Sequence, residues 1–267
     1  MTASDRERYD RPMAVGDFLR KLLNRGEPVP APGDSSFFAE ILESRERVYR
    51  RWFGAPFKAA IATISPELLA SALPSFDPNW AHAGVYVYPA TADRPHWTYL
   101  TAGLSTPWQL TTASELPTQP ARAVSGVGIE LMLRTPIFDD WAISVLNRFM
   151  IYELGVSAGL IGGKLLSFGT RVPLKPIGCK SSSQIEAVIT CPPGDLAAAF
   201  ELRSGRVELI QLVGITAREY AWSIDHGVEG LLAELGQPRH WVTDLERDSL
   251  PQKAGAELPP DLKPHFR

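Results

Sequence analysis

The sequence predicts an α+β domain in which a mostly antiparallel, mixed sheet packs with helices. Three observations carry that expectation. Period-two segments follow one another from Ala83 to Leu133 and resume past Gln184; one strongly apolar helix interrupts them; and helical patterns flank the run at both ends. The regular strand–helix alternation of a Rossmann-like parallel sheet is the weaker alternative.

The first ten residues are mostly polar and charged and are expected to fray. Val15 to Leu23 carries apolar residues at 15, 18, 19, 22 and 23, a short amphipathic helix that Gly26 ends. Glu27 to Gly33 holds too many prolines for helix or central strand and reads as a semi-rigid connector, so residues 1–33 are set apart from a domain over 34–250. Asp34 or Ser35 can cap a second helix, in which Phe38, Ile41, Leu42, Val48, Tyr49 and Trp52 recur at helical spacing before Gly54 and Pro56. Its Glu43 to Arg47 segment, with Arg50 and Arg51, mixes charge signs and reads as a solvated face.

Val85 and Val87 then alternate with Tyr86 and Tyr88, and a turn at Pro89 to Pro95 leads into His96 to Leu104, which predicts an antiparallel pair. Thr106 to Ser125 is rich in Pro, Thr and Ser without a period and is expected to be a surface loop. The sharpest strand follows: Val127, Ile129, Leu131 and Leu133 on a buried face, Gly128, Glu130, Met132 and Arg134 on a partly wet one. Asp139 or Asp140 can cap the next helix, whose polar strip is so narrow that it should be the most buried. Short strands are expected near Lys164 to Phe168, Gln184 to Cys191 and Val207 to Ile215, punctuated by prolines and glycines. Thr216 and Glu219 have the spacing of a capping box, a second short helix follows Gly227, and His240 to Leu245 is a candidate last strand. From Arg247 onward the chain has four prolines and scattered charge and reads as poorly ordered, with residues 251–267 as a disordered tail.

Composition narrows the function. The 27 basic and 30 acidic residues leave a net charge of -3, which lacks the electrostatic footprint of a general nucleic-acid binder. Charges interrupt every apolar stretch well short of the roughly 20 residues a spanning helix needs, and no apolar core follows the charged N-terminus as in a signal peptide. A cytoplasmic protein without a membrane span is expected. Cys179 and Cys191 show no Cys-x-x-Cys or histidine pairing, and the five histidines are scattered, so neither a metal nor a disulfide framework is expected.

The catalytic motifs fail in turn. Ala158 to Leu165 mimics a phosphate-binding loop, but Ala158 replaces its first glycine, Leu165 replaces the magnesium-ligating hydroxyl, and a helix rather than a strand precedes it. His240 and Asp244 in a strand would stand about 13 Å apart, too far for a dyad. Ser105 lacks a nucleophile elbow, and Cys179 has no histidine near it in sequence. Glu130 and Glu219 are the best general bases by position, yet Glu219 caps a helix and Glu130 reads first as a surface carboxylate paired to Arg134.

Three segments share one resemblance: His96-Trp-Thr-Tyr-Leu-Thr-Ala-Gly-Leu-Ser105, Ser125-Gly-Val-Gly-Ile-Glu-Leu-Met-Leu-Arg134, and Glu208-Leu-Ile-Gln-Leu-Val-Gly-Ile-Thr-Ala-Arg-Glu219. In this order and spacing they resemble the suppressor of fused (SUFU) domain, with the helix from Trp141, the Gly169 to Leu174 segment and Val242 to Arg247 also fitting, over roughly residues 40–250. The resemblance implies an α+β domain that binds protein stoichiometrically, without cofactor or catalysis. In animal members a further C-terminal domain helps to grip a short strand of a zinc-finger transcription factor, a β-augmentation. This chain ends soon after the first domain, carries Trp108 where animal members have a tyrosine, and has Arg122 near their partner-contacting aspartate, so that partner is not carried over. Stand-alone bacterial members are regarded as immunity proteins of polymorphic toxin systems, which makes a toxin the expected partner; the alternative is a regulatory protein, the chain then acting as a regulator that sequesters a transcription factor. Ser105, Trp108, Arg122 and Glu130 are the candidate partner-binding residues, where a wet strand face meets the irregular loop. The competing reading from another class is a hydrolase using Glu130 with His96.

Overall fold

The computed structural model describes residues 35–57, 61–110, 112–174, 183–236 and 241–250. Helix α1 (Ser35–Phe53) is followed by β1 (Ala62–Thr63), α2 (Pro66–Ala72), β2 (Gly84–Tyr88), β3 (Trp97–Ala102) and β4 (Val124–Thr135). Helix α3 (Asp140–Ser157), β5 (Arg171–Pro173), β6 (Ile185–Cys191), β7 (Ala199–Leu202), β8 (Gly205–Thr216) and α4 (Ala217–Leu235) complete the described chain. The fold is α+β, as predicted, around one eight-stranded mixed sheet of order β1-β2-β3-β4-β8-β6-β5, with β7 added alongside β8. The β2–β3 pair is antiparallel with Tyr86 opposite Leu100, whereas the central β4–β8 pair is parallel, with Glu130 opposite Leu209.

Helices cover both faces. On one face α1 places Phe38, Ile41, Tyr49 and Phe53 over Tyr86, Leu100, Met132 and Leu209. Helix α4 covers the same face further along, setting Val228, Leu231 and Leu232 on Ile189, Val213 and Ile215. The opposite face belongs to α3, which packs on β2, β3 and β4 and is buried along most of its length. Its N-cap Asp139 accepts from the Trp141 amide at 3.0 Å, and its own amide donates to the Tyr99 hydroxyl at 2.8 Å. The capping box of α4 is present: Thr216 accepts from the Glu219 amide at 3.3 Å while Glu219 accepts from the Thr216 amide at 2.9 Å. Gly227 adopts a non-helical conformation inside α4, φ +77° and ψ 166°, so α4 is two helical pieces meeting at a break where the sequence places one, a backbone that glycine takes without strain.

Some expectations are overturned. Lys164 to Phe168 is irregular, because the edge strand that pairs with β6 lies later, at Arg171–Pro173. The short β1, α2 and β7 carry too few residues for a period to show. Residues 241–245 are not a strand; Thr243 instead bonds outward, its amide donating to the Arg134 carbonyl at 2.8 Å. Residues 247–250 are tied down rather than loose: Arg247 donates to both carboxylate oxygens of Glu219 at 2.6 Å, and the Leu250 amide donates to Glu219 at 3.0 Å. The predicted helix at 15–23, the connector, Cys179, His240 and the tail lie outside the described residues. Among the described residues no helix is long and apolar enough to cross a membrane.

Candidate functional site

The partly wet face of β4 is not wet. Alternation puts Glu130 and Met132 on the face that α1 covers, and Glu130 is fully buried. Burial of a carboxylate without partners is prohibitive, and this one is surrounded by donors. Its Oε1 accepts from the backbone amides of Gly103 at 3.0 Å and Ser105 at 2.9 Å, and from the Ser105 hydroxyl at 2.6 Å. Its Oε2 accepts from the Thr101 hydroxyl at 2.5 Å, and that hydroxyl in turn accepts from the Leu131 amide at 2.7 Å. Charge is balanced by Arg45 of α1, whose Nη1 lies 3.4 Å from Glu130 and donates to Ser105 at 3.1 Å and Thr106 at 3.0 Å.

The expected Glu130–Arg134 pairing is therefore replaced. Arg134 reaches the other way, to Asp195 at 2.6 Å, because α1 brings a nearer cation to Glu130. Arg45 belonged to the segment expected to be solvated, yet it is 1% exposed. The signal was available: Ile41, Arg45 and Tyr49 are spaced by four, which places the arginine on the buried stripe rather than beside it.

This buried hub fixes the chain from Gly103 to Thr106 against the start of β4. The Val127 amide donates to the Leu104 carbonyl at 2.7 Å, and the Ser125 hydroxyl donates to the Ser105 carbonyl at 2.6 Å. Gly126 makes the approach possible, since at φ +58° an added Cβ would sit 2.4 Å from the Leu104 carbonyl oxygen.

Above the fixed segment opens a cleft of about 570 Å³, whose lining includes Phe76, Asp77, Trp80, Thr106, Trp108 and Gly126. Trp108 is half-buried, donating from Nε1 to the Gly103 carbonyl at 2.9 Å and stacking on Phe38 at 6.1 Å. Gln109 beside it is exposed, and Leu154 and Leu160 add apolar wall. Of the four candidate residues, Trp108 lines the cleft; Ser105 and Glu130 lie buried and shape it from the hub; Arg122 is exposed on the short turn Pro120–Arg122 before β4. Ser105 and Glu130 thus present no surface of their own. The residues that sequence reasoning missed are Arg45, Thr101 and Trp80, each drawn in from a different part of the chain.

Chemically the arrangement engages Glu130 in structural hydrogen bonds. Glu130 is fully buried with donors on both oxygens, four groups on or near Oε1 and the Thr101 hydroxyl on Oε2, so it presents no surface from which to take a proton from a ligand in the cleft. His96 is no partner to it: it precedes β3, five residues from Thr101, which at strand spacing is about 17 Å. The described residues hold no cluster of three His, Cys, Asp or Glu suited to a metal. Cys191 is buried, and burial pushes its thiol up to about 12, with Arg134 opposing.

A family model for "Suppressor of fused protein (SUFU)" matches residues 79–248. Among solved structures, the crystal structure of a Sufu–Fu complex superposes with TM-score 0.54 at 19% identity, over 83% of this chain and 93% of that one. A SUFU homolog from Neisseria gonorrhoeae superposes with TM-score 0.51 at 15% identity, over 82% of this chain and 99% of that one. At such identities the likeness is one of fold. No curated protein matches the chain.

Proposed function

The chain belongs to the suppressor of fused family, and from that premise we propose that it is a non-catalytic protein-binding domain that docks its partner at the Trp108 cleft and neutralises a cognate bacterial toxin. The observation that carries the binding site is the pairing of an open, aromatic-walled cleft with a saturated hub beneath it. A recess whose walls are held by buried hydrogen bonds is preorganised, and preorganisation lowers the entropy lost on association. Tryptophan is enriched among residues that dominate binding energy, and an exposed arginine, Arg122, stands at the far end of the same loop. The toxin as partner rests on the resemblance to stand-alone bacterial members, not on any residue of the cleft.

Co-expression with toxins encoded beside its gene tests the reading. Protection of the cells and a stable complex are expected. Gln109→Arg, which crowds the cleft mouth from an exposed position, should leave the fold intact and weaken the complex by roughly tenfold or more. No protection and no complex with any neighbouring toxin would refute the toxin role; a complex indifferent to Gln109→Arg would refute the cleft.

A further inference from the structure

At the opposite end of β4 from the cleft, a buried cluster holds more hydrogen-bond donors than it uses. Arg134 is 1% exposed, and its Nη2 alone is engaged, on Asp195; Nε and Nη1 have no partner among the described residues. Thr98 lies directly opposite Arg134 in the β3–β4 register, fully buried, with its hydroxyl unpartnered. His96, two residues before Thr98, is 4% exposed with Nε2 unpartnered. Arg94 packs its guanidinium over the Phe53 ring at 5.1 Å and donates from Nη2 to the Pro89 carbonyl at 2.8 Å, leaving Nε free.

These groups act on one another. Burial, then Arg134, then Arg94 push the His96 imidazole down to about 4, against the opposing pull of Asp195. Burial, then Arg134, lower Arg94 as well. Neutral His96 leaves two guanidiniums facing one carboxylate, and that carboxylate, 41% exposed, stands where the cluster meets solvent. Both charge and hydrogen bonding are therefore unbalanced in one direction. The free donors are Arg134 Nε and Nη1, Arg94 Nε and the Thr98 hydroxyl, while Gln211 Oε1 is the spare acceptor nearby in the sheet. An uncompensated buried cation is strongly unfavourable, and the group that corrects both imbalances is an anion that only accepts.

We propose that Arg134, Thr98 and Arg94 form a binding site for a small oxyanion, phosphate or carboxylate, with Asp195 as the internal carboxylate that competes for it. The site is separate from the Trp108 cleft and does not depend on what binds there. Inorganic phosphate and acetate, titrated separately into the full chain and followed by calorimetry and by the His96 imidazole resonances, are the probes. Saturable binding of phosphate identifies a phosphate site; saturable binding of acetate alone identifies a carboxylate site.

Two variants test the site, and the second keeps the test independent of folding. Asp195→Asn removes the competing carboxylate from an exposed position and should tighten binding about fivefold. Thr98→Val removes a hydroxyl that the free protein does not use, so it should leave thermal stability unchanged or raised while weakening binding about fivefold. If neither anion saturates the site in the native chain or in Asp195→Asn, ordered water satisfies the donors and the proposal falls. Binding that Thr98→Val leaves untouched places the anion elsewhere and overturns it equally.

Discussion

Replacing Glu130 by glutamine keeps the volume of the side chain and removes only its charge and one acceptor. In the hub the amide oxygen can take the Oε1 position, accepting from the Gly103 and Ser105 amides, but the amide nitrogen then faces the Thr101 hydroxyl. That hydroxyl already accepts from the Leu131 amide, so two donors crowd one oxygen and its own proton loses its acceptor. Arg45, 1% exposed, loses its buried counter-charge as well. Breaking a buried pair by neutralising one partner costs about 3–5 kcal/mol, so we expect a loss of about 4 kcal/mol. With a urea slope of about 2.5 kcal/mol/M, the unfolding midpoint should fall by roughly 1.5 M at an unchanged slope. The double variant Arg45→Met with Glu130→Gln should cost less than the sum of the singles by about 2 kcal/mol or more, since the second change removes the stranded cation left by the first. A single-variant loss below about 1 kcal/mol, or additive singles, would show that the hub does not hold the cleft floor.

Gly126→Ala should destabilise by about 3 kcal/mol in thermal or urea melts, because a left-handed backbone and a 2.4 Å overlap with the Leu104 carbonyl are imposed together; an unchanged melting temperature would contradict the close approach. Arg247→Ala should cost about 3 kcal/mol and release the amide of Leu250 to rapid hydrogen exchange, since Glu219 is buried and takes two bonds from that guanidinium. Burial pushes Glu219 up, but the bonds from Arg247, Leu250 and Thr216 outweigh it and hold the carboxyl below its ordinary value. The opposite sign applies to Glu153, which burial raises from 4.5 to about 7 against one backbone bond from Leu166. The folded chain then binds a proton that the unfolded chain releases, so stability is fully present below about pH 4.5 and declines as pH rises to about 7. Relative to Glu153→Gln, the native protein should lose up to about 3 kcal/mol between pH 4.5 and 8 in urea titrations, and parallel curves for the two would refute the shift.

What could be read from the chain depended on whether a residue's surroundings were set locally. The β2–β3 pair, the α3 N-cap at Asp139, the capping box at Thr216 and Glu219, and the break at Gly227 are decided within a few residues, and all are present. The parallel β4–β8 pairing joins segments some eighty residues apart, and nothing in either strand announces it. The strand at Lys164 to Phe168 failed for a related reason: an apolar stretch after a glycine turn has no partner there, and the edge of the sheet is completed by Arg171–Pro173 instead.

Glu130 shows how a residue can be singled out correctly and placed wrongly. Alternation along β4 assigned it to the face opposite Ile129 and Leu131, which is where it lies. Whether that face meets water is decided by α1: an arginine at the centre of the Ile41–Tyr49 stripe can be buried only if a carboxylate lies beneath it. Arg45 and Glu130 each looked like a surface charge when read alone. Read together, two charges that both fall on buried stripes predict each other, and the same logic leaves Arg134 unresolved, because its stripe supplies two guanidiniums and a single carboxylate. That remaining imbalance is what distinguishes the Arg134 cluster from the closed Arg45–Glu130 pair.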